Sequence, residues 1–143
     1  MTAPTTPSPI LFRHAVRVYW EDTDAGGVVF YANYLKFFER ARTEWLRARG
    51  FGQQQLRDDT GAIFIVTDTA VHYLRPARLD DLLVVTVQVT HAGRAQMTIA
   101  QQAWRPSPDG DVLLTEGTIR IACVDAGTFT PRRIPNPLQQ SIE

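Results

Sequence analysis

Only one stretch of this chain repeats with a helical period over several turns, and strand-like runs lie on both sides of it. In "FYANYLKFFERARTEWLRARG", residues 30–50, Tyr34, Phe38, Ala41, Trp45 and Leu46 recur at steps of three and four. That spacing puts them on one face of a helix. Lys36, Glu39, Arg40, Glu44 and Arg47 lie largely off that face. Gly50 and Gly52 suit its C-terminal stop, and Arg47 and Arg49 oppose the negative end of the helix dipole. The chain must bury one helical stripe with strands alone.

The strands are read from period-two alternation and from β-branched and aromatic residues. Residues 12–20, "FRHAVRVYW", alternate in part and give a first strand. After the helix, "QQQLRDDT" adds a short helical turn. The runs at 62–75, 82–90, 96–104 and 112–125 then read as four more strands. In the second of these, Leu83, Val85, Val87 and Val89 face one way, and Thr86, Gln88 and Thr90 the other. Pro76 breaks the chain between the first two, and Asp109-Gly110 is a hairpin signal. The Pro-rich "PRRIPNPLQQSIE" is expected to be extended or mobile. The order β-α-β-β-β-β predicts one α+β domain, a sheet with one face covered by one helix. Its bounds are read as 12–135, with a flexible tail over 1–11 and a C-terminal tail over 136–143. One helix cannot cover five strands, and open sheet edges invite pairing, so a homodimer joined through its sheets is expected.

Composition excludes several functions. Fifteen basic and fifteen acidic side chains cancel, which leaves no basic surplus for nucleic acid. Cys123 is the single cysteine, so no internal disulfide or cysteine-based metal site can form. It reads as a small buried hydrophobe in a reducing compartment. "MTAPTTPSPI" lacks the pattern of a signal peptide, and no apolar run is long enough to span a bilayer, so a cytoplasmic protein is expected. His14, His72 and His91 show no paired spacing, and no metal is expected. Neither a nucleophile elbow nor a phosphate loop is present.

What remains is "DTDAGGVVFY", residues 22–31. A strand ends just before it, a glycine pair lets backbone approach a ligand, and a helix starts just after it. Amides at a helix start have no intrahelical partner and can bind developing negative charge. A carboxylate beside them can attack a carbonyl or activate water. Aspartate and threonine are equally at home as turn and cap residues, so these residues alone leave both readings open.

The stretch "VRVYWEDTDAGGVVFYANYLKFFERARTEWLR" closely resembles the opening of hotdog-fold acyl-CoA thioesterases of the 4-hydroxybenzoyl-CoA thioesterase family. Within them it is most similar to the YbgC branch, which is associated with the Tol-Pal envelope system. Tyr19, Asp22, Thr23, Asp24, Gly27, Val28, Val29, Tyr34, Phe38, Glu39 and Arg42 carry the shared pattern. The resemblance implies a hotdog fold, a sheet wrapped around the long helix, assembled as a homodimer or a dimer of dimers. It also implies hydrolysis of an acyl-CoA, or of an acyl group on acyl carrier protein. No cofactor is implied, because coenzyme A is part of the substrate.

The resemblance further implies that Asp24 is catalytic, as nucleophile or as general base. The backbone N–H of Tyr31 then polarises the thioester carbonyl. Many YbgC-type proteins have histidine where this chain has Tyr31; a backbone donor survives that exchange. Asp22 is expected to bond within the turn, and Gly27 to let the backbone close on substrate. Asn33 is expected near the helix start, and Tyr34 and Phe38 in the core or along the acyl site. Glu39 and Arg42 are expected to pair on the helix surface. Arg94, Arg120 and Arg132/Arg133 are candidates for the phosphates of coenzyme A. A hotdog dehydratase and a non-catalytic binding module are the competing readings; the first lacks an Asp–His or Glu–His pair.

Overall fold

The computed structural model describes residues 11–142. Except for Leu11, the expected N-terminal tail lies outside the described residues. Five strands form one antiparallel sheet: β1 Phe12–Arg17, β2 Ala62–Tyr73, β3 Leu82–Ala92, β4 Gln96–Arg105 and β5 Val112–Asp125. The spatial order is β1-β3-β4-β5-β2. Consecutive hairpins explain the β3-β4-β5 centre. The helices α1 (Tyr34–Ala48) and α2 (Gln53–Thr60) carry the chain from the β1 edge to the β2 edge.

The predicted stripe faces the sheet. Tyr34, Phe38, Ala41, Trp45 and Leu46 are buried, joined by Phe37. They share a core with Leu83, Val85 and Val87 of β3, Met97 and Ile99 of β4, and Ile119 and Ile121 of β5. Full burial of a ring such as Phe37 or Phe38 contributes roughly 1.5–3 kcal/mol. The helix comes very close to β5 at Gly117, where an added Cβ would lie 3.0 Å from a Phe38 ring carbon.

A polar pin fixes the same contact. Gln101, buried on β4, donates through Nε2 to Phe38 O at 3.0 Å and to Thr86 O at 3.2 Å. Its Oε1 accepts from Arg42 Nη1 at 2.8 Å. Arg42 therefore turns inward instead of pairing with Glu39 on the surface. Burial lowers the Arg42 pKa, and the charge of Glu39 opposes that shift.

Two other expectations need correction. The first strand was read to residue 20 but ends at Arg17, and the chain turns into a 3-10 turn over Trp20–Asp22. The Pro-rich end is not extended: Asn136–Ile142 forms a third helix, α3, and its Leu138 is fully buried in the core. Proline in a first helical turn gives up no bond, because that N–H has no intrahelical acceptor.

Both outer strands leave an edge. The β2 edge is twelve residues long and carries the exposed Ile65, Val66 and Tyr73. No helix among the described residues is long and apolar enough to cross a membrane.

Candidate active site

The two aspartates of the opening motif have opposite environments. Asp22 is 3% exposed. Its Oδ2 accepts the Tyr19 N–H at 2.8 Å, and its Oδ1 accepts Asn33 Nδ2 at 2.9 Å. Its main-chain carbonyl accepts the Phe30 N–H at 2.9 Å. One buried carboxylate thus ties the end of the first strand to the start of the long helix. Asn33, 6% exposed, is the other half of that tie.

Asp24 sits at the exposed tip of the same loop. Its N–H donates to Val28 O at 2.9 Å, and its carbonyl accepts the Gly27 N–H at 3.0 Å. Its Oδ1 accepts the Gly26 N–H at 2.8 Å. No described group bonds its Oδ2. Gly27 has φ +79°, the left-handed region where a side chain is strained. A Cβ on Gly26 would lie 3.2 Å from Asp24 Oδ1. The glycine pair therefore closes the turn and leaves room around the carboxylate.

Beyond the turn, the chain is stapled to the connection between β2 and β3. Thr23 bridges Val29, and Val28 bridges Arg78. The Val29 N–H donates to Ala77 O at 2.9 Å, and the Ala77 N–H donates to the Tyr34 hydroxyl at 3.1 Å. Tyr31 heads a 3-10 turn, Tyr31–Asn33, that runs into α1. The N–H at that position has no intrahelical acceptor, and the helix adds partial positive charge there.

Beside this turn lies a cleft of about 240 Å³ lined by Val29, Tyr31, Tyr34, Tyr73, Leu74, Arg75 and Pro76. The Tyr31 and Tyr73 rings meet edge to face at 6.1 Å, and Tyr34 lies 5.7 Å from Tyr73. Burial pushes the Tyr73 phenol up, and Tyr31 and Tyr34 add to the shift, so it stays neutral at ordinary pH. Asp24 is not on the cleft wall; it stands on the hairpin that leads into it. The sequence had marked Tyr31 and Tyr34 but not Tyr73 or Arg75. Their only local signal was an aromatic and a basic residue just before Pro76.

The other arginines lie elsewhere in the chain. Arg120, on β5, makes an exposed ion pair with Asp68 of β2 at 3.4 Å. Asp68 is five residues from Tyr73, roughly 16 Å along a strand. Arg94 lies in the β3–β4 turn, two residues past Ala92, and the ten steps of β3 from Leu82 to Ala92 span roughly 33 Å at strand rise. With Arg133 and Asn136 it lines a second cleft of about 350 Å³. Neither Arg94 nor Arg133 has an ion-pair partner among the described residues. Asp24, Gly27, Tyr31, Asn33 and Tyr34 therefore come together, while Arg94 and Arg120 do not join them within one chain.

A five-stranded antiparallel sheet curled on one long helix, with a carboxylate turn at the helix start, defines the hotdog class of protein. The chain belongs to the Thioesterase superfamily, whose family pattern matches residues 26–111. It is 43% identical over 131 residues to the acyl-CoA thioesterase YbgC of Haemophilus influenzae, covering 92% of this chain and 93% of that one. It is 42% identical over 128 residues to the acyl-CoA thioester hydrolase YbgC of Escherichia coli O6:H1, covering 90% and 92%. The fold superposes on a 1,4-dihydroxy-2-naphthoyl-CoA thioesterase from Synechocystis with a TM-score of 0.83, covering 92% and 95% of the two chains. At 21% identity that likeness concerns the fold alone. The expectations of a hotdog fold, of a YbgC-like thioesterase and of a family of thioester hydrolases agree with these findings.

Proposed function

We propose that this protein hydrolyses an acyl-CoA to the free acid and coenzyme A, with Asp24 as the reacting carboxylate. One observation carries the reading: Asp24 is presented, exposed, on a loop whose neighbouring Asp22 and Asn33 lock it to the start of the helix. The relatives named above support the choice of an acyl-CoA.

The thioester carbonyl oxygen binds at the Tyr31 N–H, where negative charge developing on it is stabilised by the helix start. A single donor of this type is worth about 3 kcal/mol. Two routes then balance. In one, an Asp24 oxygen attacks the carbonyl carbon, coenzyme A leaves as thiolate, and water cleaves the mixed anhydride to regenerate Asp24. In the other, Asp24 takes a proton from water as that water attacks, and the thiolate leaves from the tetrahedral intermediate. The turn supports either, since Oδ2 of Asp24 is unengaged. Gly27 and Tyr34 shape the approach, and Asn33 acts through Asp22.

The phosphates of coenzyme A are assigned to Arg94 and Arg120. Their distance from Asp24 in one protomer favours a phosphate site supplied by a neighbouring protomer. The unpaired Arg94 and Arg133 beside one cleft support the assignment of Arg94. The long open edge of β2 supports a homodimer, and sedimentation should give twice the chain mass; a monomer at micromolar concentration refutes it. The reading places the protein in the cytoplasm, the expectation drawn from its sequence.

The activity is tested by thiol release from short-chain, long-chain and aromatic acyl-CoAs. Hydrolysis of at least one class is expected, and Asp24→Asn should lower kcat on the order of a hundredfold or more. Equal rates for wild type and variant refute the role of Asp24. Absence of thiol release from every class refutes the activity.

A further inference from the structure

The wall of the cleft beside Tyr31 is phenolic and apolar except at one place. Val29, Tyr31, Tyr34, Tyr73, Leu74 and Pro76 are aliphatic or phenolic, and Arg75 is the one basic side chain among them. Its guanidinium pairs with no carboxylate among the described residues, although several other arginines are engaged. Arg17 donates to Asp80 O, Arg42 to Gln101, Arg120 to Asp68 and Arg132 to Thr60 O.

The backbone at Arg75 is held on both sides. The Leu74 and Arg75 N–H groups both donate to Leu114 O, at 2.8 and 3.0 Å. Pro76 follows, and a residue before proline is confined to extended conformations. Ala77 is then fixed at both its polar atoms, by the Tyr34 hydroxyl and by the Val29 N–H. This anchoring also seats the β2–β3 connection on the start of α1. An arginine that must meet a ligand benefits from it, because less freedom is lost on binding.

We propose that Arg75 is a specificity residue that binds an anionic group of the substrate at the mouth of this cleft. The proposal rests on the thioesterase reading given above. A guanidinium suits a carboxylate or a phosphate through paired N–H donors. Its positive charge also biases a cleft with low-dielectric walls toward anions. The group is either a carboxylate at the far end of the acyl chain or a phosphate of coenzyme A, and the two are separable.

The test compares hexanoyl and adipoyl thioesters, which share a chain length but end in a methyl group or a carboxylate. Each is offered on coenzyme A and on N-acetylcysteamine, which carries no phosphate. If Arg75 binds the acyl carboxylate, wild type prefers adipoyl on both carriers. Arg75→Gln should then lower the adipoyl-to-hexanoyl ratio of kcat/KM by on the order of tenfold to a hundredfold, and Arg75→Lys should restore part of it. If it binds a phosphate, the variant lowers the ratio of coenzyme A to N-acetylcysteamine for both acyl groups instead. If Arg75→Gln moves neither ratio while wild type hydrolyses the thioesters, the inference is wrong and the thioesterase reading stands. If wild type hydrolyses none of the four, the inference is wrong; the thioesterase reading fails with it only if long-chain and aromatic acyl-CoAs are left intact as well.

Discussion

Replacing Asp22 and Asp24 by asparagine, one at a time, separates the structural carboxylate from the chemical one. Asp22→Asn leaves a single carbonyl oxygen where two acceptors are needed. Its new amide N–H₂ faces either the Tyr19 N–H, donor against donor, or the Asn33 side-chain amide, which must then rotate to offer its oxygen. Either way a bond to the buried carboxylate is lost or replaced by a weaker neutral one, which costs about 1.5–3 kcal/mol, and the rearranged amides add to that. The total is about 2–4 kcal/mol. At roughly 3 °C per kcal/mol for a domain near this size, Tm should fall by about 6–12 °C. Asp24→Asn keeps an oxygen for the Gly26 N–H at an exposed site, so its Tm should stay within about 2 °C of wild type. Thermal unfolding followed by circular dichroism, with thiol release on the same samples, gives both readouts. Comparable Tm losses for the two variants refute the division of labour, as does a stable Asp22→Asn protein. An Asp24→Asn protein that turns over at the wild-type rate refutes the chemical half.

Three other outcomes follow from the packing. Gly117→Ala puts a Cβ 3.0 Å from the Phe38 ring and 3.2 Å from Ala70 O, so urea unfolding should show a loss of about 1–3 kcal/mol. Gln101→Leu removes the acceptor of the inward Arg42 and should cost about 2–3 kcal/mol; adding Arg42→Met should recover part, giving a coupling energy in a double-mutant cycle. The Asp125 carboxyl is held below its ordinary 3.8 mainly by the Thr128 and Gly127 N–H groups. Its contribution is complete above the ordinary value and lost as pH falls through the lowered one. Urea midpoints measured from pH 5 to pH 2 should therefore fall less for Asp125→Asn than for wild type; parallel curves refute this.

Local pattern made much of the fold legible. The α1 stripe and the β3 alternation are short-range periodicities, and each says which face must be buried. They yield the element order and the position of the DTD turn between strand and helix. The inward turn of Arg42 was not legible, because Glu39 lies three residues away in sequence, while Gln101 reaches it only across the sheet. The helical C-terminus was hidden by its prolines, which signal an interrupted chain wherever their partners are unknown.

The candidate site divides in the same way. That a carboxylate, a glycine pair and a helix start adjoin is a property of contiguous residues, and the sequence by itself determined it. Which aspartate is buried and which is free depended on Asn33 folding back eleven residues to reach Asp22. Tyr73 and Arg75 entered the cleft only because β2 pairs with β5 at the sheet edge and returns its end to the helix start. Such contacts join residues far apart in the chain, and no local period encodes them; they exist only once the sheet has closed over α1.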